Sequence, residues 1–186
     1  MRFCSHCGSG EIEILIPEND SLPRHVCQSC DRIHYHNPRI IVATLPVHED
    51  KVLLCKRAIE PRYGSWTIPG GFLECNEPVE AGAIRETLEE ANARVEIVNL
   101  HTMYTVLHVD QVYLIFRAKL KDLDFSAGTE SLEVCLFSLK DIPWKELAFT
   151  SVKFALQRLV EDFDTNRHSG LHIGSYRKPD SSRRHS

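Results

Sequence analysis

Three glutamates on one turn, placed behind a glycine pair, constrain this chain more than any other feature. Glu86, Glu89 and Glu90 stand at i, i+3 and i+4, so a helix through them carries three carboxylates on one face. Such a cluster repels itself, raises its own pKa values and destabilises the helix unless positive charge sits among the acids. Arg85 supplies part of that charge. A hard divalent cation with oxygen ligands resolves the rest. A solvated acidic face is the common alternative, and the residues ahead of the helix decide against it. Pro69-Gly70-Gly71 lets a backbone carbonyl approach a metal, and Glu77-Pro78 marks the helix start, with Pro at its first turn. Glu77 can reach Arg85 if the loop folds back on the helix.

The surrounding sequence reads as three zones: 1–37, 38–165 and 166–186. In the middle zone Arg39–Leu45 and Lys51–Arg57 are strand-like, with a turn at His48-Glu49-Asp50 between them. Trp66–Phe72 is extended and broken by Pro and Gly. Pro78–Glu90 reads as a helix whose apolar stripe is Val79, Ala83 and Ile84 or Leu88. Strands are expected near 94–98, 103–109, 111–119 and 133–138. A last helix from about Ser151 to Phe163 carries Val152, Leu156, Leu159, Val160 and Phe163 on one face. Strands mixed with two main helices predict an α/β (α+β) sandwich with a mixed sheet. From 166 onward Ser, Arg, His, Gly and Pro predict a flexible basic tail.

The first zone holds a second constellation. Cys4-x2-Cys7 and Cys27-x2-Cys30 are separated by 19 residues. Each knuckle wraps two thiolates around one ion, and two knuckles complete the closed tetrahedron that structural Zn²⁺ accepts. Redox dithiols and an iron–sulfur centre are the alternatives. A segment this short needs such a staple to fold. His6, His25, His34 and His36 are read as surface histidines because four thiolates suffice. Cys55 and Cys135 read as core residues, and Cys75 has no neighbouring base that would make it a nucleophile. An odd count of seven cysteines, four of them in metal spacing, argues for a reducing cytoplasmic location. The polar start after Phe3-Cys4 does not read as a signal peptide, and no apolar run is long enough to span a membrane. Net charge is −4. Arg167–Ser186 is basic, which leaves the body more acidic still and argues against non-specific nucleic-acid binding.

The segment Gly71-x5-Glu77-x7-Arg85-Glu86-x-x-Glu89-Glu90 resembles the Nudix box, G-x5-E-x7-R-E-U-x-E-E-x-G-U with U aliphatic. Thr87 departs from an aliphatic position, Ala93 is a small version of another, and Asn92 replaces the final Gly. Asn is the next most tolerant residue for the positive φ that ends such a helix. The resemblance implies a Nudix α/β/α sandwich behind a small zinc ribbon. It also implies a hydrolase in which Glu86, Glu89 and Glu90, with a Gly70 or Gly71 carbonyl, bind Mg²⁺ or Mn²⁺. Arg85 would orient a carboxylate, and Glu77 would pair with Arg85. The general base varies among Nudix enzymes; Glu90 or Glu133 is expected here, with Glu130 in the same Gly128–Glu133 stretch.

Zinc ribbon plus Nudix domain resembles two groups. In the NADH pyrophosphatase type a proline-rich stretch follows the box, whereas Val98–Val106 contains no proline. The other group includes plant plastid Nudix enzymes acting on FAD and ADP-ribose. The similarity to it runs through His36-Asn37-Pro38-Arg39, Leu53–Arg57, Gly128–Phe137 and Leu147-Ala148-Phe149. It implies hydrolysis of an ADP-containing nucleotide to AMP plus the other monophosphate, by a chain that forms a homodimer as many relatives do. A flat ring needs an aromatic or guanidinium partner. Tyr35, Arg57, Trp66, Tyr104 and Phe149 are the candidates, and Glu74 in the glycine loop is a further substrate contact. The competing class is a non-catalytic regulator that binds nucleotide or nucleic acid on a Nudix fold. Hydrolysis of an RNA end would call for a basic channel, and the basic cluster in sequence is Arg177–Arg184.

Overall fold

The computed structural model describes residues 1–166 and 170–179 and divides into two units, the second beginning at Pro38. The first unit is a three-stranded antiparallel sheet of β1 (Ile12–Leu15), β2 (Arg24–Cys27) and β3 (Ile33–His34). Its two knuckles are built alike. The Cys4 N–H reaches the Ser9 carbonyl and the Cys27 N–H the Arg32 carbonyl. The residue after each second Cys, Gly8 or Asp31, has positive φ. These turns bring the four thiols together. Cys4 Sγ lies 3.8 Å from Cys30 Sγ, and Cys7 Sγ lies 3.6 Å from Cys27 Sγ. A tetrahedron of thiolates about 2.3 Å from zinc has edges of about 3.8 Å, so the cluster fits that ion. His34, expected at the surface, is half-buried with Nε2 3.3 Å from Cys4 Sγ. It is therefore a partner of the sulfur cluster.

The second unit is built on a mixed sheet. Its strands are β4 (Arg39–His48), β5 (Lys51–Arg57), β6 (Trp66–Thr67), β7 (Gly70–Phe72), β8 (Val95–Val106), β9 (Gln111–Leu120), β10 (Ser131–Ser138) and β11 (His172–Tyr176). They run in the order β10-β5-β4-β9-β8-β11, with β6 on β5 and β7 on β4. The β4–β9 and β8–β11 pairs are parallel. Glu49, at positive φ, turns β4 into β5. Those two strands pair at Val47–Val52 and His48–Lys51 and then part. Farther on, β4 pairs with β7 and β5 with β6, so Trp66–Phe72 fills the split.

Two helices cover the sheet, α1 (Val79–Ala91) and α2 (Thr150–Asp164). Strand alternation assigns them to opposite faces. Ala43, Leu45 and Val47 of β4, with Val52 and Leu54 of β5, pack against Val152, Ala155, Leu156 and Leu159 of α2. The intervening Val42, Leu53 and Cys55 group with Ala83 and Ala91 of α1. Leu156 and Leu159 are fully buried; each contributes about 1.5–3 kcal/mol. This is the α/β sandwich expected from the sequence. The two strands expected near 94–98 and 103–109 are one, β8, followed by a single 3-10 turn at Leu107–Val109.

The expected stripe of α1 needs correction. Ile84 and Leu88 are exposed, while Thr87 and Glu90 are buried. Thr87 occupies the aliphatic position of the Nudix pattern, and its hydroxyl donates to the Ala83 carbonyl at 2.7 Å. Thr44 on β4 then donates to Thr87 Oγ1 at 2.6 Å. A hydroxyl pair thus replaces one methyl contact between helix and sheet. Thr87→Val is expected to strand the buried Thr44 hydroxyl and cost about 1–2 kcal/mol. Adding Thr44→Val should restore most of the loss, as read from urea midpoints.

The tail expectation is corrected as well. His172–Tyr176 forms β11, pairing in parallel with Thr102–Val106. Gly174 fits beneath the rings of Tyr104 and Phe154, where a Cβ would stand 2.8 Å from each. Residues 167–169 and 180–186, which include part of the Arg177–Arg184 cluster, lie outside the described residues.

Candidate active site

The segment that fills the split between β4 and β5 lends Thr67, Ile68 and Gly70–Phe72 to the wall of a cavity of about 570 Å³ beside α1. Gly71 faces α1 so closely that a Cβ there would stand 2.4 Å from Glu86 Oε2. The missing side chain lets the carboxylates of the helix reach the backbone of β7. The Gly70 N–H donates to Glu90 Oε2 at 3.2 Å. Glu86, Glu89 and Glu90 line the cavity together with Gly70, Gly71, Glu74 and Arg85.

Arg85 organises the acids. Its Nε and Nη2 hold Glu77 at 3.1 and 2.8 Å, and Nη2 also donates to the Phe72 carbonyl. Nη1 donates to Glu86 Oε1 at 2.7 Å and to Glu89 Oε2 at 3.1 Å. Glu77 also accepts the Glu74 N–H, which folds the loop back on the helix. The Arg85 hydrogen bonds hold Glu77 well below the usual carboxylate range, at about 2.

Burial acts the other way on the remaining acids. Glu86 is pushed up by burial against the pull of Arg85. Burial lifts Glu90 to about 7; the Gly70 N–H opposes the shift and the Glu86 charge adds to it. Two desolvated acids, of which Arg85 hydrogen-bonds only Glu86, are the donor set a hard cation stabilises, so these residues fit such an ion.

Glu90 has a consequence for pH. Its folded pKa lies above its ordinary value of 4.5. Its contribution is therefore intact in acid and is lost as pH rises towards about 7. His101, which burial holds down at about 4, acts oppositely over part of that range. The comparison with Glu90→Gln isolates the effect. In metal-free protein, the variant's denaturation midpoint should gain on wild type as pH is raised across that window.

The helix ends at Asn92 (φ 48°, ψ 24°), so the substitution for Gly keeps the left-handed stop. The Asn92 amide also donates to Ser126. Behind it, the Gly128 N–H reaches the Glu90 carbonyl. A Cβ on Gly128 would stand 1.8 Å from the Glu89 carbonyl oxygen, which is why the loop can seat itself on the helix end. The seat delivers Thr129 and Glu130 to the cavity wall, and the Glu130 charge is felt by both Glu86 and Glu90.

Glu133 is not among the residues lining the cavity. A register shift between Ser131 and Glu133 turns it onto the sheet, where it pairs with Lys56 at 3.6 Å and accepts the Cys135 thiol. Trp66 and Tyr104 are likewise not at the cavity. Trp66 is buried edge-on to Phe137, and Tyr104 is buried against Phe154. Both sit in the core because their strands bury those faces. Arg57 and Phe149 do line the cavity, with the guanidinium 5.1 Å from the ring centre. Tyr113, on the α2 face of β9, joins them there; its strand position gave no sign of this in the sequence. Tyr35 belongs to the first unit, with Arg24 over its ring.

Comparisons with known proteins agree with this geometry. A NUDIX domain family model matches residues 37–157, and a Nudix N-terminal zinc ribbon model matches residues 2–36. A crystal structure of a NUDIX hydrolase from Nitrosomonas europaea superposes with a TM-score of 0.90 at 52% identity, covering 96% of this chain and 100% of that one. An ADP-ribose pyrophosphatase of Methanocaldococcus jannaschii is 30% identical over 133 residues, 69% of this chain and 75% of the relative. A NAD-capped RNA hydrolase NudC of Vibrio parahaemolyticus is 25% identical over 170 residues; the alignment spans 87% of this chain and 60% of that relative. The carboxylate helix, the glycine edge that meets it and the cysteine ribbon lie within the segments that the two family models match, and the chain belongs to the Nudix hydrolase family, in the branch that carries an N-terminal zinc ribbon.

Proposed function

We propose that the chain hydrolyses the diphosphate of an ADP-containing nucleotide, ADP-ribose or FAD, to AMP and the other monophosphate. The supporting observation is that one cavity joins the acids of α1 to the Arg57–Phe149 pair. A diphosphate held at the acids leaves its base or flavin within reach of a guanidinium and an aromatic ring. Mg²⁺ or Mn²⁺ would be held by Glu86, Glu89 and Glu90 with the Gly70–Gly71 backbone; when bound, such an ion neutralises phosphate charge and acidifies a water. Arg85 keeps Glu86 and Glu89 oriented from behind. Glu130 takes the role of general base in place of Glu133, because it faces the cavity beside Glu86 and Glu90 while Glu133 is paired on the sheet. The similarity to the M. jannaschii ADP-ribose pyrophosphatase supports the ADP-ribose reading; the FAD reading rests on the sequence motifs alone.

The NudC relatives favour a second reading, a NAD-type diphosphate free or at an RNA end. Against it stands the proline-free Val98–Val106, which forms most of β8. Turnover of ADP-ribose, FAD, NADH and NAD-capped RNA, each with Mg²⁺ and then Mn²⁺, separates the two. The expected result is a kcat/KM for ADP-ribose or FAD on the order of tenfold or more above NADH, a difference of about 1.4 kcal/mol in transition-state binding. Preference for NADH or capped RNA would replace this reading by the second.

A further inference from the structure

Across β8, α2 and β11, the structure gathers a second set of metal-ligating side chains that the diphosphatase reading does not use. His101 on β8 and Asp162 on α2 are buried, and His172 opens β11 with its side chain 16% exposed. Asp162 Oδ2 lies 3.0 Å from His172 Nε2 and 3.8 Å from His101 Nδ1, and all three ligand atoms fall within 4.8 Å of one another. The imidazole rings meet edge to face at 5.2 Å.

Tautomer logic shows what this cluster lacks. His101 Nε2 lies 3.3 Å from the Ala155 carbonyl, which can only accept, so the ring proton sits on Nε2. Nδ1 then presents a lone pair towards the Asp162 carboxylate. His101 is 1% exposed and Asp162 5%, so water has little access to the gap between them. The His101 lone pair faces an Asp162 oxygen whose one hydrogen-bond partner among the described residues is His172 Nε2 at 3.0 Å, and in this desolvated place a cation among the three would relieve the facing lone pairs. A metal-bound imidazole has this arrangement: one nitrogen on the ion, the other donating to a backbone carbonyl.

We propose that His101, Asp162 and His172 bind a zinc ion that fastens β11 to β8 and α2. A tetrahedral ion with ligands at about 2.0–2.1 Å has edges of about 3.3–3.4 Å, which the observed 3.0 and 3.8 Å bracket. Two imidazoles with one carboxylate suit zinc and not magnesium. His172, the least buried of the three side chains at 16% exposure, gives the ion its route in. Arg117 is the opposing charge nearby, and its guanidinium is stacked on Phe163, 4.9 Å from the ring centre.

Zinc content of the full chain tests this, after dialysis against Zn²⁺ with excess Mg²⁺ to occupy the glutamates. The expected result is one equivalent beyond the thiolate site. Co²⁺ in its place should show ligand-field bands without added thiolate charge transfer. His172→Ala should remove the second equivalent, keep the first and abolish the Zn²⁺-dependent part of the Tm. Asp162→Asn should weaken it. A wild-type chain that stops at one equivalent would overturn the proposal and leave a purely hydrogen-bonded triad, and that measurement stands even if a variant fails to fold. A second equivalent that survives both substitutions would overturn it too.

Discussion

Glu90→Gln should lower kcat on the order of 10³-fold while leaving the fold at least as stable as wild type near neutral pH. The two halves of this expectation have one cause. Glu90 is 8% exposed, and burial lifts its carboxyl to about 7. Ionised, it is a desolvated charge whose hydrogen bond from the Gly70 N–H compensates only in part. Glutamine has nearly the same shape and can still accept that N–H through its carbonyl. It removes the charge that the folded chain tolerates poorly. In the proposed mechanism the same charge holds a divalent cation against the glycine edge. Charge stabilisation by such an ion supplies several kcal/mol in the transition state, and each 1.36 kcal/mol is tenfold in rate. Steady-state rates with ADP-ribose, alongside thermal melts of metal-free protein, check both halves. Parallel loss of rate and stability would mean that Glu90 is merely structural.

Arg85→Ala is expected to do the reverse in stability. Removing the guanidinium leaves Glu77, Glu86 and Glu89 without their shared partner and frees the Phe72 carbonyl. Breaking a buried ion pair costs about 3–5 kcal/mol. Arg85 is 30% exposed, so solvent screening reduces this to about 2–3 kcal/mol. At about 2–4 °C per kcal/mol for a domain of this size, Tm should fall by about 4–12 °C. The pH dependence identifies the partner. Glu77, held at about 2, contributes stability above its ordinary carboxylate range that is lost as pH falls through that value. The variant should lose that acid-range slope. Arg85→Lys should recover only a minority of the stability, because an ammonium cannot span Glu77 and Glu86 as the planar fork does.

Much of this site could be read in the sequence because its chemistry is written in spacing. Glu86, Glu89, Glu90, Arg85 and Glu77 meet because helix periodicity and one reversing loop bring them together, and both rules act over short range. The cysteine knuckles are equally local. What the sequence did not reveal depends on long-range register. Glu130 and Glu133 differ only by a bulge between Ser131 and Glu133 that turns one to the cavity and the other to Lys56. Trp66 and Tyr104 carry the ring that a nucleotide site wants, yet each faces the core, and no local pattern separates the two roles. Thr87 looks like a defect in the box until Thr44, 43 residues away, supplies its partner. Likewise β11 has loop-like composition, and Gly174 makes sense only beneath Tyr104 and Phe154.

If the acids of α1 hold a divalent ion against Gly70–Gly71, a crystal of the chain soaked in Mn²⁺ and measured at the manganese absorption edge will reveal it. An anomalous peak among Glu86, Glu89, Glu90 and the β7 backbone, missing in Glu86→Gln crystals, is the predicted result. Acids turned out to solvent around an empty corner, with diphosphate hydrolysis persisting in EDTA, would contradict it.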